Sequence, residues 1–149
     1  MSYGYDSSTP SLTLNLNPKQ IHAARETAKL LGLTQTRGAT AGQGSLSQLV
    51  SQLAEAARTQ GAAAVAHKLD WTRNLTATPR YTSHALIMID PDSVPHLVKV
   101  AKRLGHVRHT GPRQRIGQGS ANALVAAIAQ AAHDEGAEAI ARRLKWLTH

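Results

Sequence analysis

Gly42-Gln43-Gly44-Ser45 returns unchanged as Gly117-Gln118-Gly119-Ser120. The match extends in both directions. Downstream, Leu49-Val50 returns as Leu124-Val125, Ala56-Ala57 and Gly61 as Ala131-Ala132 and Gly136, and Leu69-x-Trp71 as Leu144-x-Trp146, all at an offset of 75. Upstream, Leu16-Asn17-Pro18 corresponds to Ile89-Asp90-Pro91, and Ala28-Lys29-x-Leu31-Gly32 to Ala101-Lys102-x-Leu104-Gly105, at an offset of 73. The second copy therefore carries two extra residues between Gly105 and Gly117. Two copies of one unit of about 60 residues predict a pseudo-dimer within a single chain.

The residues around the motif give the unit its elements. Ser11 to Asn17 alternates polar and apolar, which predicts a half-buried strand with Leu12, Leu14 and Leu16 on one side and Ser11, Thr13 and Asn15 on the other. Asn17 is placed to cap a helix whose first residue is Pro18, where the missing N–H does no harm. Ile21, Ala24, Ala28 and Leu31 recur at helical spacing, and Gly32 stops the helix. Leu33 to Gly44 has no periodicity and reads as a loop. Ser45 opens a second helix, and Gln48 offers the partner of a Ser-x-x-Gln capping box. Leu46, Leu49, Val50, Leu53, Ala56 and Ala57 form its apolar face, Gly61 ends it, and a short third helix runs from Ala62 to about Trp71.

The second copy repeats the series. Ala85 to Ile89 is the strand, with Asp90-Pro91 as cap and first turn, and Val94, Leu97, Ala101 and Leu104 form the stripe of the next helix. Pro95 lies one turn inside that helix and removes a hydrogen bond there, so its start is expected to be displaced or irregular. Ser120 begins the following helix with Leu124, Val125 and Ile128 inward, and a last helix ends near Trp146. The expected divisions are a flexible arm over 1–10, a first unit over 11–71, a linker over 72–83 and a second unit over 84–147, the two units intertwined as one globular domain.

The chain is strongly basic, with a formal net charge of +8 and a sequence pI near 10.5. Seven basic residues face four acidic ones up to Leu75, and ten face five beyond it, so neither half is a charged tail. This balance favours a polyanionic partner, nucleic acid before membrane. The absence of cysteine removes disulfides, thiolate catalysis and Cys-based metal sites. No apolar run approaches the ~20 residues needed to span a bilayer. Residues 1–10 lack the basic start and apolar core of a signal peptide, so a cytoplasmic protein, nucleoid-associated when bound to DNA, is expected. With no Phe and five aromatic residues in all, stacking of single-stranded bases has few candidates.

One alternating strand, a capped helix ending in Gly and a second helix opening on Ser resemble the ribbon-helix-helix family of DNA-binding proteins, the Arc and methionine-repressor class. The resemblance rests on Leu12 to Leu33 and Ser45 to Ala57 and on their counterparts from Ala85 to Ala132. It implies that the two strands pair antiparallel and enter the major groove. Their outward residues would touch base edges, and the start of the second helix would hold a phosphate. The residues in those places are Ser11, Thr13 and Asn15 on one strand and His84, Leu86 and Met88 on the other. Gly44, Ser45, Gly119 and Ser120 stand at the helix starts. The chain departs from the pattern in an insertion of roughly ten residues between its helices, in an added third helix ending in Trp, and in the apolar Leu86 and Met88.

Elementary chemistry points the same way. A lone strand has no partner, and a strand-helix-helix unit cannot bury its own stripe, so two copies solve both problems. Short polar side chains suit base edges, and the N–H groups of a helix start suit phosphate. Arg37 in the first loop and Arg108, Arg113 and Arg115 in the second are candidates to clamp the backbone or enter a minor groove, unless they are simply solvated. A Walker loop is excluded because Gly44 and Gly119 stand where its Lys must be. Lys68, Arg142, Arg143 and Lys145 read as a solvated face, the eight histidines as surface residues rather than ligands, and Trp71 and Trp146 as packing anchors. No catalytic arrangement, metal site or cofactor site is expected.

The sequence therefore predicts a mainly α fold with a two-stranded antiparallel β-ribbon, a tandem strand-helix-helix(-helix) repeat forming a single-chain pseudo-dimer. Its expected function is sequence-preferring binding of double-stranded DNA without enzymatic activity, as a transcriptional regulator or a plasmid or phage maintenance factor. Further chains would associate side by side on the DNA. The competing expectation is a protein-interaction adaptor or antitoxin-like module, docking its partner through the apolar second strand or the C-terminal helices.

Overall fold

A computed structural model describes residues 11–35, 42–73, 83–88, 92–107 and 117–148, those of 11–13 and 83–88 by their backbone alone. In chain order the elements are β1 (Ser11–Leu16), α1 (Pro18–Leu30), α2 (Leu46–Gln60), α3 (Ala62–Lys68), β2 (Ser83–Met88), α4 (Val94–Arg103), α5 (Ala121–Glu135) and α6 (Ala137–Arg143). Single 3₁₀ turns follow α3 at Asp70–Thr72 and α6 at Lys145–Thr148.

Local chemistry sets the helix ends. The Asn17 side chain accepts from the Gln20 N–H at 2.8 Å, and the Gln20 side chain accepts in return from the Asn17 N–H at 3.0 Å, closing a capping box ahead of Pro18. At the other end of α1 Gly32 adopts φ +82. The Leu33 N–H reaches the Ala28 carbonyl at 2.8 Å and the Gly32 N–H that of Lys29 at 3.0 Å, a Schellman stop. Gly105 ends α4 in the same way, through His106 to Ala101 and Gly105 to Lys102. Ser45 and Ser120 cap α2 and α5, their hydroxyls accepting from the N–H of Gln48 and Ala123, both at 3.1 Å. The expected capping box at Ser45 is not completed. The Gln48 amide instead donates to the Thr34 carbonyl at 2.7 Å, tying α2 to the residue that follows the α1 stop.

The two halves are interleaved. α1 packs on α5 and α6 of the other half, and α4 packs on α2 and α3 of the first. One apolar cluster takes Leu14, Leu16, Leu49, Leu53 and Leu69 from the first half and Leu97, Leu104, Leu124, Ile140 and Leu144 from the second, every one of them fully buried. With no Phe to fill space, the core is aliphatic, and alanines bring the helices close. α5 shows this most clearly, with Leu124 to Ala129 buried without interruption. Burial on all sides is the mark of a central helix. The C-terminal segments also cross between halves: the Lys68 ammonium sits 4.8 Å from the centre of the Trp146 ring and the Arg143 guanidinium 5.1 Å from that of Trp71. Trp71 and Trp146 both pack against the core, and Lys68 and Arg143 lie over their rings rather than on a merely solvated face.

β1 and β2 run antiparallel, with Thr13 opposite Leu86 and Asn15 opposite His84, and they pair with no third strand among the described residues. β1 lies against α5 and β2 against α2. The expected class, a ribbon-based tandem strand-helix-helix repeat, is corrected on two counts. First, the strands are not what the body is built on. Among the described residues six α-helices build the body, and two six-residue strands form no layer with a core of its own, as a two-stranded pair in isolation cannot. Second, the copies are unequal. α4 starts at Val94 with Pro95 in its first turn and runs for 10 residues against 13 in α1, so Pro91 does not open it. Pro95 has no N–H to give and is tolerated only at such a start, which explains the displacement.

Candidate nucleic-acid interface

The residues expected to read bases fall at three opposite positions of the strand register: Ser11 with Met88, Thr13 with Leu86, and Asn15 with His84. Asn15 is exposed between the buried Leu14 and Leu16. Its backbone N–H donates to the side-chain oxygen of Asn122, and its carbonyl accepts from the Asn122 amide at 3.3 Å. Asn122 is the second residue of α5, so one amide occupies both hydrogen-bonding groups of β1 at this position and locks the strand to the start of α5. Sequence reasoning did not find Asn122. Its counterpart at the repeat offset is Ser47, and nothing in a helix-start Asn announces a partner 107 residues away.

The repeated motif is explained residue by residue. Gly42 and Gly117 adopt φ +88, a left-handed conformation that costs other residues. Gly44 and Gly119 are buried, and a side chain on either would collide with backbone, the Arg25 carbonyl in the first case and the Val98 carbonyl in the second. Ser45 is buried and Ser120 half-buried, their hydroxyls both engaged as caps. Of the motif in each copy, Gln43 and Gln118 are exposed beside the helix start. The expected phosphate-holding set Gly44, Ser45, Gly119 and Ser120 therefore lies at the starts of α2 and α5, but its glycines and its first serine serve packing and capping. What remains for an anion is the backbone N–H groups that a first helical turn leaves without intrahelical partners.

The loops between the paired helices leave and return through short antiparallel bridges, Thr34 with Gly44 and Val107 with Gly119. The Ser45 N–H bonds the Leu33 carbonyl at 2.9 Å and the Ser120 N–H that of His106 at 2.8 Å, so both ends of each loop are fixed beside a helix start. Arg37, Arg108, Arg113 and Arg115 belong to these loops and lie outside the described residues.

His106, read from sequence as a surface residue, is buried at 7 % exposure. It stands where the first half has Leu33, and its Nε2 lies 3.1 Å from the Thr72 hydroxyl, which itself donates to the Leu69 carbonyl at 2.8 Å. Burial and, second, the positive charge of Arg73 lower its pKa below 6.5, against the effect of a hydrogen bond with Thr72. A base whose folded pKa is depressed is neutral in the native state, while the unfolded chain takes up its proton first. Its contribution to stability is therefore complete above about pH 6.5 and is lost as pH falls below that value. His106→Leu is expected to flatten the fall in unfolding free energy between about pH 7.5 and about pH 5, read from urea denaturation at a series of pH values. An unchanged slope would assign the acid sensitivity to other groups.

Among the described residues no three His, Asp or Glu side chains gather as a metal site requires, and no helix is long and apolar enough to cross a membrane. Compared with protein-family models, curated sequences and solved structures, the chain matches none.

Proposed function

We propose that the protein binds double-stranded DNA with a sequence preference, as a transcriptional regulator or a plasmid or phage maintenance factor. In this reading the paired strands meet the major groove, and the starts of α2 and α5 meet the flanking phosphates. The observation that carries it is the Asn122 clasp on Asn15, which fastens β1 of the strand pair to the start of α5. Groups meant to read bases and groups meant to hold the backbone must keep a fixed spacing, because phosphate contacts set the register in which base edges are read. The basic balance of both halves supports the same partner.

The test is fluorescence anisotropy on fragments of the source genome beside a random-sequence duplex, at two salt concentrations. Thr13→Ala with Asn15→Ala is expected to leave the fold intact, since Asn122 holds Asn15 by its backbone. Discrimination between selected and random duplex should fall about tenfold to hundredfold, the loss of one good base contact. Wild-type protein that binds all duplexes alike, or a double variant that keeps its preference, would overturn the reading.

A further inference from the structure

The outer face of α1 carries a feature that the repeat does not share. His22, Arg25 and Lys29 are exposed at steps of three and four, which puts them on one side of the helix. Together with Glu26 they line a groove whose far wall is the exposed Gln43, on the turn seated against α1 at Gly44. Among the described residues neither Arg25 nor Lys29 belongs to an ion pair, whereas Arg58, Arg73 and Arg143 are each matched to a nearby carboxylate.

A solvated helix face is the ordinary reading of such residues, and the second half speaks against it. At the repeat offset of 73, His22, Arg25, Glu26 and Lys29 correspond to Pro95, Val98, Lys99 and Lys102. Val98 is half-buried and packed against the core. Packing therefore does not require a basic residue at the place of Arg25, which Val98 fills in the corresponding helix. The groove also leads straight to the helix start discussed above: Gly44 lines it and the next residue caps α2.

We propose that this groove is a phosphodiester-binding surface, which carries the contact of one DNA strand from the start of α2 along α1. The inference rests on the DNA-binding reading and adds a difference between the halves to it, because Arg25 and His22 of the first half give way to Val98 and Pro95 in the second, and Glu26 to Lys99. From His22 to Lys29 the row of side chains spans about 10 Å of helix axis, which suits an extended polyanion better than a single small anion. The contact is to backbone alone, so it adds affinity without sequence information.

The experiment uses the full chain carrying Arg25→Gln and Lys29→Gln, with Arg142→Gln and Lys145→Gln as a charge-matched control on exposed positions away from the groove and from the matching face of α4. Affinity for the selected duplex and for a random-sequence duplex is measured across a salt series. Removing one cation from a phosphate lowers the slope of log K against log salt by about 0.9, so the α1 variant is expected to lower it by about 2 on both duplexes, with discrimination between them unchanged. The control should retain the wild-type slope. A wild-type slope in the α1 variant, or an equal drop in the control, overturns the groove while leaving DNA binding in place. Absence of duplex binding by the wild type overturns both. Urea unfolding of each variant at the wild-type midpoint confirms that a change in slope is not a change in fold.

Discussion

Gly44→Ala is expected to lower the unfolding free energy by about 3 kcal/mol, the upper end of what an overpacked position costs. The methyl group would land on the Arg25 carbonyl and close to the Lys29 N–H, both of them backbone atoms of α1. A flexible side chain can turn aside, but a helix backbone moves only with everything packed on it, and α1 is packed on α5 and α6. Gly42→Ala, two residues away, is the internal comparison. It has open space around it, and its φ of +88 is the sole difficulty, so the expected cost is about 1 kcal/mol. Gly119→Ala should behave like Gly44→Ala, since its methyl meets the Val98 carbonyl and the Lys102 backbone. Urea denaturation of the three variants measures the order. Equal costs at Gly42 and Gly44 would mean that the turn lifts freely from α1, and the groove on that helix would then have a movable wall.

How much of this could be read in advance differs from element to element. The capped start of α1, its Gly stop and the serine caps of α2 and α5 are legible because each is decided within four or five residues, by a side chain reaching its own neighbourhood. The displaced start of α4 is legible for the same reason, through Pro95. Tertiary pairings are not. The Gln48 side chain has two acceptable partners, the Ser45 N–H of its own cap and the Thr34 carbonyl, and only the packed loop base, where the Ser45 N–H bonds the Leu33 carbonyl, decides between them. His106 looks like any loop histidine until α4 and the turn after α3 close over it, and Leu33 at the matching position is the available hint. The second glycine of the motif invites a phosphate-loop reading, because sequence shows that a side chain is absent and not which atom requires its absence. Asn122 belongs with these: its value lies in a strand more than a hundred residues earlier. The two short strands carry less of the fold than their pattern suggests, because alternation marks a strand clearly and says nothing of how much core the helices hold.

The second large effect concerns the chain as a whole. A fragment ending at Leu75 is expected to show no cooperative unfolding transition, and mixing it with the fragment that begins at Thr76 is expected to restore one. Within the first half, α1 has few of its partners, since it packs chiefly on α5 and α6, and α2 and α3 are without α4. Leu14 and Leu16, fully buried in the intact protein, would face water in the fragment together with the α1 stripe. β1 would be without its only strand partner among the described residues, and without the Asn122 clasp. Each buried leucine contributes about 1.5–3 kcal/mol by leaving water, and a domain's net stability is only about 5–15 kcal/mol, so exposing a handful of them is enough to abolish the folded state. Circular dichroism and thermal scans of each fragment and of their equimolar mixture make the measurement. A fragment that melts cooperatively by itself would show a self-sufficient unit, or one that has paired with its own copy, and sedimentation distinguishes the two. Self-pairing is the more instructive outcome. A homodimer of the first half would place the α1 groove on both sides in place of the α4 face with Lys99 and Lys102, so the salt dependence of its DNA binding compares the two faces directly. The present sequence, with Val98 where Arg25 stands in the other copy, gives up that symmetry, which separate evolution of the two copies within one chain permits and a homodimer does not.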